Sequence, residues 1–389
     1  MKIIYITQWF SAVGGGGEVQ FVNLITSMAK RGHSVHVICQ HMLNTNDNYN
    51  IDNLYVHRIR PILNGNTIYL KQNMKFMINA IRMGSQIIKS EKIDIIHVNN
   101  YSPIIVGSFL SRIYKIPLIK TIHAVYCSTP DFWKKWSAQD NVSSSLSLLG
   151  TPLEKITIRL NADTIHTVSN ATKKDIIKVN AKSKIIVIPN GVNLAIYDKL
   201  GFNRDYQKLV VFIGRLVVNK NLQVLINSFK EVIKIIPDAK LIIIGAGAML
   251  DEWKKMVSDL GLDLNIEFTG FISEKNKMDI LSRCSVLALP STSEGQPLVA
   301  LEAFAMSKPL LLSDIEPSYD IVSEAVDGFI LPAHDAHKWA EKIIFLLSNR
   351  QICELMGSKG RLKVEKKYSL DTFVENMEVI YTSLLKFKK

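Results

Sequence analysis

Short apolar runs alternate with amphipathic stretches along most of this 389-residue chain. Residues 2–7 read as a strand, and a glycine run follows at Gly14, Gly15, Gly16 and Gly17. Residues 19–31 then carry Phe21, Leu24, Ile25 and Met28 at the spacing of one helix face. Gly32 stops that helix, and residues 34–39 form the next strand, completing a β–turn–α–β unit. Residues 40–66 are rich in Asn and carry no readable period. A helix is predicted over 71–89, and strands over 94–98, 118–122, 164–168 and 184–188. The pattern then restarts, with strands over 209–213, 240–244, 266–268, 286–289 and 309–312. Helices are predicted between them over 222–235, 251–259 and 298–306.

Strands alternating with helices of this length predict parallel sheets covered on both faces. Two such series predict two doubly wound α/β domains, which also suits the length. Pro189, Gly191 and Gly201 punctuate the polar stretch 190–206, so the boundary is expected there. The expected domains are residues 1–190 and 191–370. A terminal helix over 371–389 is expected to pack back toward the first domain.

Composition changes this picture little, with 47% apolar and 21% charged residues, as in ordinary globular proteins. Charge changes it more. The first 200 residues hold 23 Lys+Arg against 11 Asp+Glu, and the remainder holds 24 of each, so the first half carries the whole net charge of +12. Such asymmetry points to an anionic partner such as a membrane surface or lipid phosphate, or simply to solubility or a Lys-rich genome. Nothing points to nucleic acid. Cys39, Cys127, Cys284 and Cys353 form no C-x-x-C pair, which suits reduced thiols in the cytoplasm and neither a zinc site nor a disulfide framework. Residues 1–10 are read as a strand and not as a signal peptide. No apolar run reaches the ~18 residues of a membrane helix, so any membrane contact is expected to be peripheral.

In open parallel sheets, ligands bind beyond the carboxyl ends of the strands. The turn after 286–289 reads Ser293-Glu294-Gly295-Gln296-Pro297-Leu298-Val299-Ala300-Leu301-Glu302. Pro297 suits a first helical position, which would leave the amides of Leu298 and Val299 free to meet an anion. Ionised Glu294 and Glu302 accept hydrogen bonds only, as holding sugar or ribose hydroxyls requires. The turn after 209–213 carries Gly214, Arg215 and Lys220, and two cations there suit a diphosphate. The first segment is also compatible with a plain strand–helix junction, and the second with two surface cations. The run Gly14–Gly17 allows close backbone approach to a phosphate, but it lacks the Lys-Ser/Thr of a phosphate-binding loop. Gly245-Ala246-Gly247 opens like a dinucleotide fingerprint but has Leu250 where the third glycine belongs. His123 and His97 each end a strand, and a packed histidine is the plainer reading of both. Residues 131–150 interleave Phe132, Trp133 and Trp136 with Lys134 and Lys135, as a membrane interface or a lipid-linked acceptor site would, or as a mobile loop would.

Together these segments resemble the retaining GT-B glycosyltransferases of group 1, or family 4. The series runs through Gly15-Gly16-Gly17-Glu18, Asp94-Ile95-Ile96-His97, Thr121-Ile122-His123, Val168-Ser169 and Ile188-Pro189-Asn190-Gly191-Val192. It continues through Gly214-Arg215-Leu216 with Lys220, Thr269-Gly270-Phe271, Glu294-x7-Glu302 and Asp327-Gly328-Phe329. The resemblance implies two facing Rossmann-like domains with a cleft between them, closing over a nucleotide-sugar donor. It implies that Arg215 and Lys220 bind the diphosphate and stabilise it as it leaves. Glu302 would hold ribose hydroxyls and Glu294 those of the transferred sugar, with Gly295, Gln296, Pro297, Leu298 and Val299 around them. Gly16 and Gly17 would approach the diphosphate, His123 would line the sugar pocket, and Phe271 and Ile272 would lie near the base. Neither cofactor nor metal is implied, because the cations take the metal's place. The acceptor would be a lipid-linked glycan or polysaccharide precursor. Two departures are Gln296-Pro297, where many relatives have Phe and Gly, and Asn193, where an acid is common. Rival functions are a nucleotide-sugar epimerase, a sugar phosphorylase, and a non-catalytic glycan-binding partner at the membrane.

Overall fold

The computed structural model describes residues 1–11, 15–41, 49–59, 69–128, 133, 144–199 and 207–386. The chain forms two units, one of Met1–Asn190 with Phe373–Lys389 and the other of Gly191–Thr372.

The first unit runs β1 (Lys2–Ile6), α1 (Gly16–Lys30), β2 (Ser34–Gln40), β3 (Leu54–Ile59), α2 (Tyr69–Glu91), β4 (Ile95–Asn99) and α3 (Tyr101–Tyr114). It continues with β5 (Leu118–Ile122), α4 (Ser144–Arg159), β6 (Thr164–Thr167), α5 (Asn170–Lys178) and β7 (Lys184–Val187). Its seven strands lie in the order β3-β2-β1-β4-β5-β6-β7, all parallel. β4 and β5 are buried at every position. Helices cover both faces of such strands, so they read as continuous apolar runs and do not alternate.

β3 falls where the sequence showed no period. It is the edge strand, paired in register with β2 from Val35↔Leu54 to Gln40↔Ile59, and only Ile59 is fully buried. A half-wet edge strand has little reason to be apolar.

The second unit runs α6 (Leu194–Asp198), β8 (Leu209–Ile213), α7 (Leu222–Ile235), β9 (Lys240–Ile244), α8 (Leu250–Asp259), β10 (Ile266–Gly270), α9 (Glu274–Arg283) and β11 (Val286–Leu289). It continues with α10 (Leu298–Ala305), β12 (Leu310–Ser313), α11 (Glu316–Ile321), β13 (Gly328–Leu331), α12 (Ala336–Ser348) and α13 (Arg350–Lys367). Its strands lie in the order β10-β9-β8-β11-β12-β13, again all parallel. In each sheet the order reverses beside the first strand, between β1 and β4 and between β8 and β11. Crossovers diverge at that switch point and open a crevice at the carboxyl ends.

The last helix, α14 (Leu370–Lys386), begins beside Val192, whose carbonyl accepts from Leu370 N at 2.8 Å. From Phe373 onward it belongs to the first unit, where Phe373, Met377 and Tyr381 are buried.

Candidate functional site

In the second unit, the turns after β8 and β11 meet at the switch point. After β8 the backbone passes Gly214 and Arg215, makes a 3-10 turn over Val218–Lys220, and enters α7 through Asn221 in the left-handed region (φ 51°). Asn221 Nδ2 donates to the carbonyls of Pro290 at 3.0 Å and Ala333 at 2.5 Å. Thr292 N donates to the Asn219 carbonyl at 2.8 Å, and Asn219 Nδ2 to that of Ser293 at 3.3 Å. These bonds hold the two turns together. Lys220 Nζ pairs with Glu294 Oε1, which also accepts from Ser291 Oγ at 2.8 Å. Both side chains of the ion pair are mostly buried. Arg215 is exposed, and no carboxylate among the described residues pairs with it.

Gly214 has an ordinary backbone conformation, and a Cβ there would sit 3.3 Å from the Phe212 ring and 3.7 Å from Lys220 Cε. The neighbouring glycines have a stricter reason to exist. A Cβ on Gly245 (φ +142°) would lie 1.9 Å from the Gly214 carbonyl oxygen, and one on Gly247 2.3 Å from that of Leu216. Leu216 N donates to the Ala246 carbonyl at 2.9 Å. Gly245 and Gly247 therefore serve backbone packing against the Gly214–Leu216 turn, which accounts for the partial dinucleotide fingerprint.

Helix α10 starts at Leu298, where the predicted span of 298–306 begins. Pro297 is its N-cap, with φ −71° and an extended ψ of 114°, and is not its first helical residue. No side chain caps this end, so the first-turn amides of Leu298 and Val299 keep the partial positive charge of a helix N-terminus. Gln296, one of the departures from the family pattern, is 91% buried, while Gly295 is half-buried.

Glu302 lies in the second turn of α10 and is not joined to the Lys220–Glu294 pair by any bond among the described residues. It meets Lys277 Nζ at 2.8 Å, and Lys277 also reaches Glu274 at 2.5 Å. Tyr197 lies beside Glu302 as well. Burial raises the Glu302 pKa against the opposing pull of Lys277. Burial and the nearby Glu302 and Glu274 carboxylates raise that of Tyr197. Tyr197 and Lys277 were missed in the sequence. Tyr197 sits in the polar stretch read as a boundary, and Lys277 is one of many lysines on an amphipathic helix. Phe271 and Ile272 follow β10 at the same carboxyl edge, with Phe271 75% exposed.

In the first unit, Gly15 is the N-cap of α1 and Gly16 its first residue. Gly17 faces His123, because a Cβ there would lie 2.8 Å from His123 Cδ2. His123 follows β5, and its Nε2 is buried with no hydrogen-bond partner among the described residues. Burial pushes its pKa down to about 4, so the ring is neutral at neutral pH. His97 is a packed histidine, as the plainer reading had it, with both ring nitrogens bonded.

Gly14 lies outside the described residues, as do Phe132, Lys134, Lys135 and Trp136. For Trp133 alone the structure corrects the expectation of an exposed or membrane-facing side chain. It is buried, its Nε1 donates to Glu154 Oε2 at 2.7 Å, and its ring occupies the space a Cβ on Gly150 would need.

Residues 14–196 match the family model of glycosyltransferase family 4, and residues 197–363 that of the glycosyl transferases group 1. The chain belongs to the group 1 glycosyltransferases. An uncharacterized glycosyltransferase of Methanocaldococcus jannaschii is 28% identical over 99% of both chains. The Escherichia coli UDP-Gal:alpha-D-GlcNAc-diphosphoundecaprenol alpha-1,3-galactosyltransferase is 25% identical, covering 82% of this chain and 81% of its own. Sucrose-phosphate synthase from Thermosynechococcus elongatus superposes with a TM-score of 0.82 at 20% identity, covering 99% of both chains. The two doubly wound sheets of this glycosyltransferase are thus the GT-B fold, and Arg215, Lys220, Glu294 and Glu302 all lie in the part matched by the group 1 model.

Proposed function

We propose that this enzyme moves a sugar from a nucleoside-diphosphate sugar, with UDP favoured over GDP, to a hydroxyl of a lipid-linked glycan or polysaccharide precursor, retaining the anomeric configuration. The observation that carries the reading is the Lys220–Glu294 pair at the β8/β11 switch point. A cation suited to diphosphate and a carboxylate suited to sugar hydroxyls are held there side by side before any donor arrives. The E. coli relative, named for a UDP-galactose donor and a diphosphoundecaprenol-linked acceptor, supports the donor and acceptor classes.

In this reading the bond from the anomeric carbon to the diphosphate oxygen breaks, and one to the acceptor oxygen forms on the same face. The acceptor's proton passes to the departing diphosphate. Arg215 and Lys220 stabilise the charge that develops on the leaving group, the stage at which stabilisation accelerates the reaction. That work requires no bound metal. Glu302, with Lys277 and Tyr197 behind it, holds the ribose, and neutral His123 offers Nε2 to a sugar hydroxyl. An inward pair of carboxylates, as glycosidases use, has no part in it.

The test is thermal unfolding with UDP, GDP or ADP, followed by transfer assays with the matching donors. A diphosphate at 100 times its Kd adds about 2.7 kcal/mol, a shift of roughly 5–10 °C in a unit of this size. Transfer by the wild type with retained configuration, and its loss in Lys220→Ala and Glu302→Ala, is the expected result. Wild-type rates in both variants would remove this site, and no shift with any diphosphate would remove the donor reading.

A further inference from the structure

One face of the first unit, formed by α2, α3 and α4, is apolar on its outer side. Each helix already buries its inner side, through Phe76 and Ala80 of α2, Ile104 and Leu110 of α3, and Ile158 of α4. The outer side of α3 presents Ile105, Phe109 and Ile113 at every fourth position, with Arg112 in the same stripe. α4 does the same with Leu149, Leu153 and Ile156, beside Lys155. α2 adds Met74 and Ile78, beside Lys75 and Arg82. The apolar side chains of these stripes are between 36% and 54% exposed. α2 packs on α3 and α3 on α4, so the stripes are neighbours on one face.

The charge on these helices is one-sided. Their only carboxylates are Glu91 and Glu154. Glu91 pairs with Lys2 at 3.0 Å, and Glu154 is buried under the Tyr101 hydroxyl at 2.8 Å and Trp133 Nε1 at 2.7 Å. Among the described residues no carboxylate pairs with Lys75, Arg82, Arg112 or Lys155. A face kept for water intersperses carboxylates with its cations, and the core of a protein–protein interface is depleted in lysine. Exposed aliphatic stripes bordered by lysine and arginine alone match the boundary between headgroups and acyl chains of an anionic bilayer. Among the described residues no helix is long and apolar enough to cross a membrane, so such a contact would lie on the surface.

We propose that this face docks the first unit on a bilayer containing anionic phospholipid, with the apolar stripes entering the headgroup region and the cations meeting lipid phosphate. The inference goes beyond the donor-site reading, and it is measured without turnover. The experiment is flotation of the full chain with vesicles of phosphatidylcholine alone or with an equal part of phosphatidylglycerol. The expected result is binding only to the anionic vesicles, weakened by salt. Phe109→Glu with Ile113→Glu should lower that binding at least about tenfold, since apolar insertion is lost and two carboxylates now face the anionic surface. Arg112→Gln should weaken it without touching an apolar side chain. Leu264→Glu, at a position 86% exposed in the second unit, should bind as the wild type does. Thermal unfolding of each variant checks that it is folded. Wild-type indifference to anionic vesicles overturns the proposal, as does equal binding by the folded double variant. A wild-type dimer that ignores vesicles and is split by the double variant assigns the face to a second copy of the chain instead.

Discussion

The Tyr381 hydroxyl donates to His97 Nδ1 across 2.6 Å, tying the chain's last helix to the middle of the first sheet. The direction of that bond follows from the far end of a buried chain of groups. His166 Nε2 faces the Ile188 carbonyl at 2.9 Å, which can only accept, so Nε2 carries the proton and Nδ1 accepts from Thr121 Oγ1 at 2.9 Å. Thr121 Oγ1 then accepts from His97 Nε2 at 2.7 Å, which leaves His97 Nδ1 for Tyr381. Tyr381 in turn accepts from the Tyr5 hydroxyl at 3.0 Å. Every proton in the series is placed only if both histidines are neutral.

Tyr381→Phe removes the central donor and leaves His97 Nδ1 and the Tyr5 hydroxyl buried without partners. Such orphans cost about 1–3 kcal/mol. Urea unfolding should show a lower midpoint by that amount with an unchanged slope. An unchanged midpoint would mean that the series contributes nothing to holding α14.

The same histidines make stability depend on pH. Burial lowers the pKa of His166 and of His123 to about 4, and burial also holds that of His97 well below the usual value of 6.5. Below pH 6.5 the unfolded chain takes up protons that the folded chain refuses, so stability falls with pH from about 6.5 toward 4. The slope approaches roughly 1.4 kcal/mol per pH unit for each histidine. His123→Gln should flatten the fall between pH 6 and 5 when urea midpoints are compared. A pH-independent midpoint in the wild type would contradict burial of these groups as neutral rings.

Gly17→Ala should cost activity more than stability. Its Cβ would meet His123 Cδ2 at 2.8 Å, so the ring must move, and a misplaced group near reacting atoms can cost about a hundredfold. In a His123→Ala background the same substitution has room and should cost little more. Transfer rates of the four proteins in this cycle decide the point, and additive losses would mean that the two residues act separately.

Lys277 is expected to position Glu302 without itself reacting. Lys277→Met leaves Glu302 buried without its cation, and its pKa should rise further. The donor KM should increase, most of all at low pH, while kcat at saturation changes less. Lys277→Arg should restore part of the affinity. A kcat loss with unchanged KM would place Lys277 elsewhere in the reaction.

How much could be read in advance depends on how local each signal is. Leu209–Ile213 is buried at every position, so an apolar run announced β8. Leu54–Ile59 lies at a wet edge, and nothing in its composition announced β3. The turn 293–302 stood out because it follows a strand and holds a Pro and two carboxylates within ten residues. The aromatic and lysine pattern around Trp133 suggested exposure, yet Trp133 is buried against Glu154 and Gly150. Composition cannot tell an aromatic meant for the surface from one meant for a neighbouring helix.

The sequence by itself determined the class of fold, two doubly wound α/β sheets, and which turns follow which strands. Hydrophobic period and turn residues act over a few positions, so they survive without knowledge of the rest of the chain. Only the tertiary structure decided the partnerships: Lys220 with Glu294, Lys277 with Glu302, Gly17 with His123 and Tyr381 with His97. It alone also decided that α2, α3 and α4 line up their apolar outer stripes. Those meetings follow from strand order and the hand of the crossovers, which bring together groups up to 284 positions apart in the chain, and no local period records them.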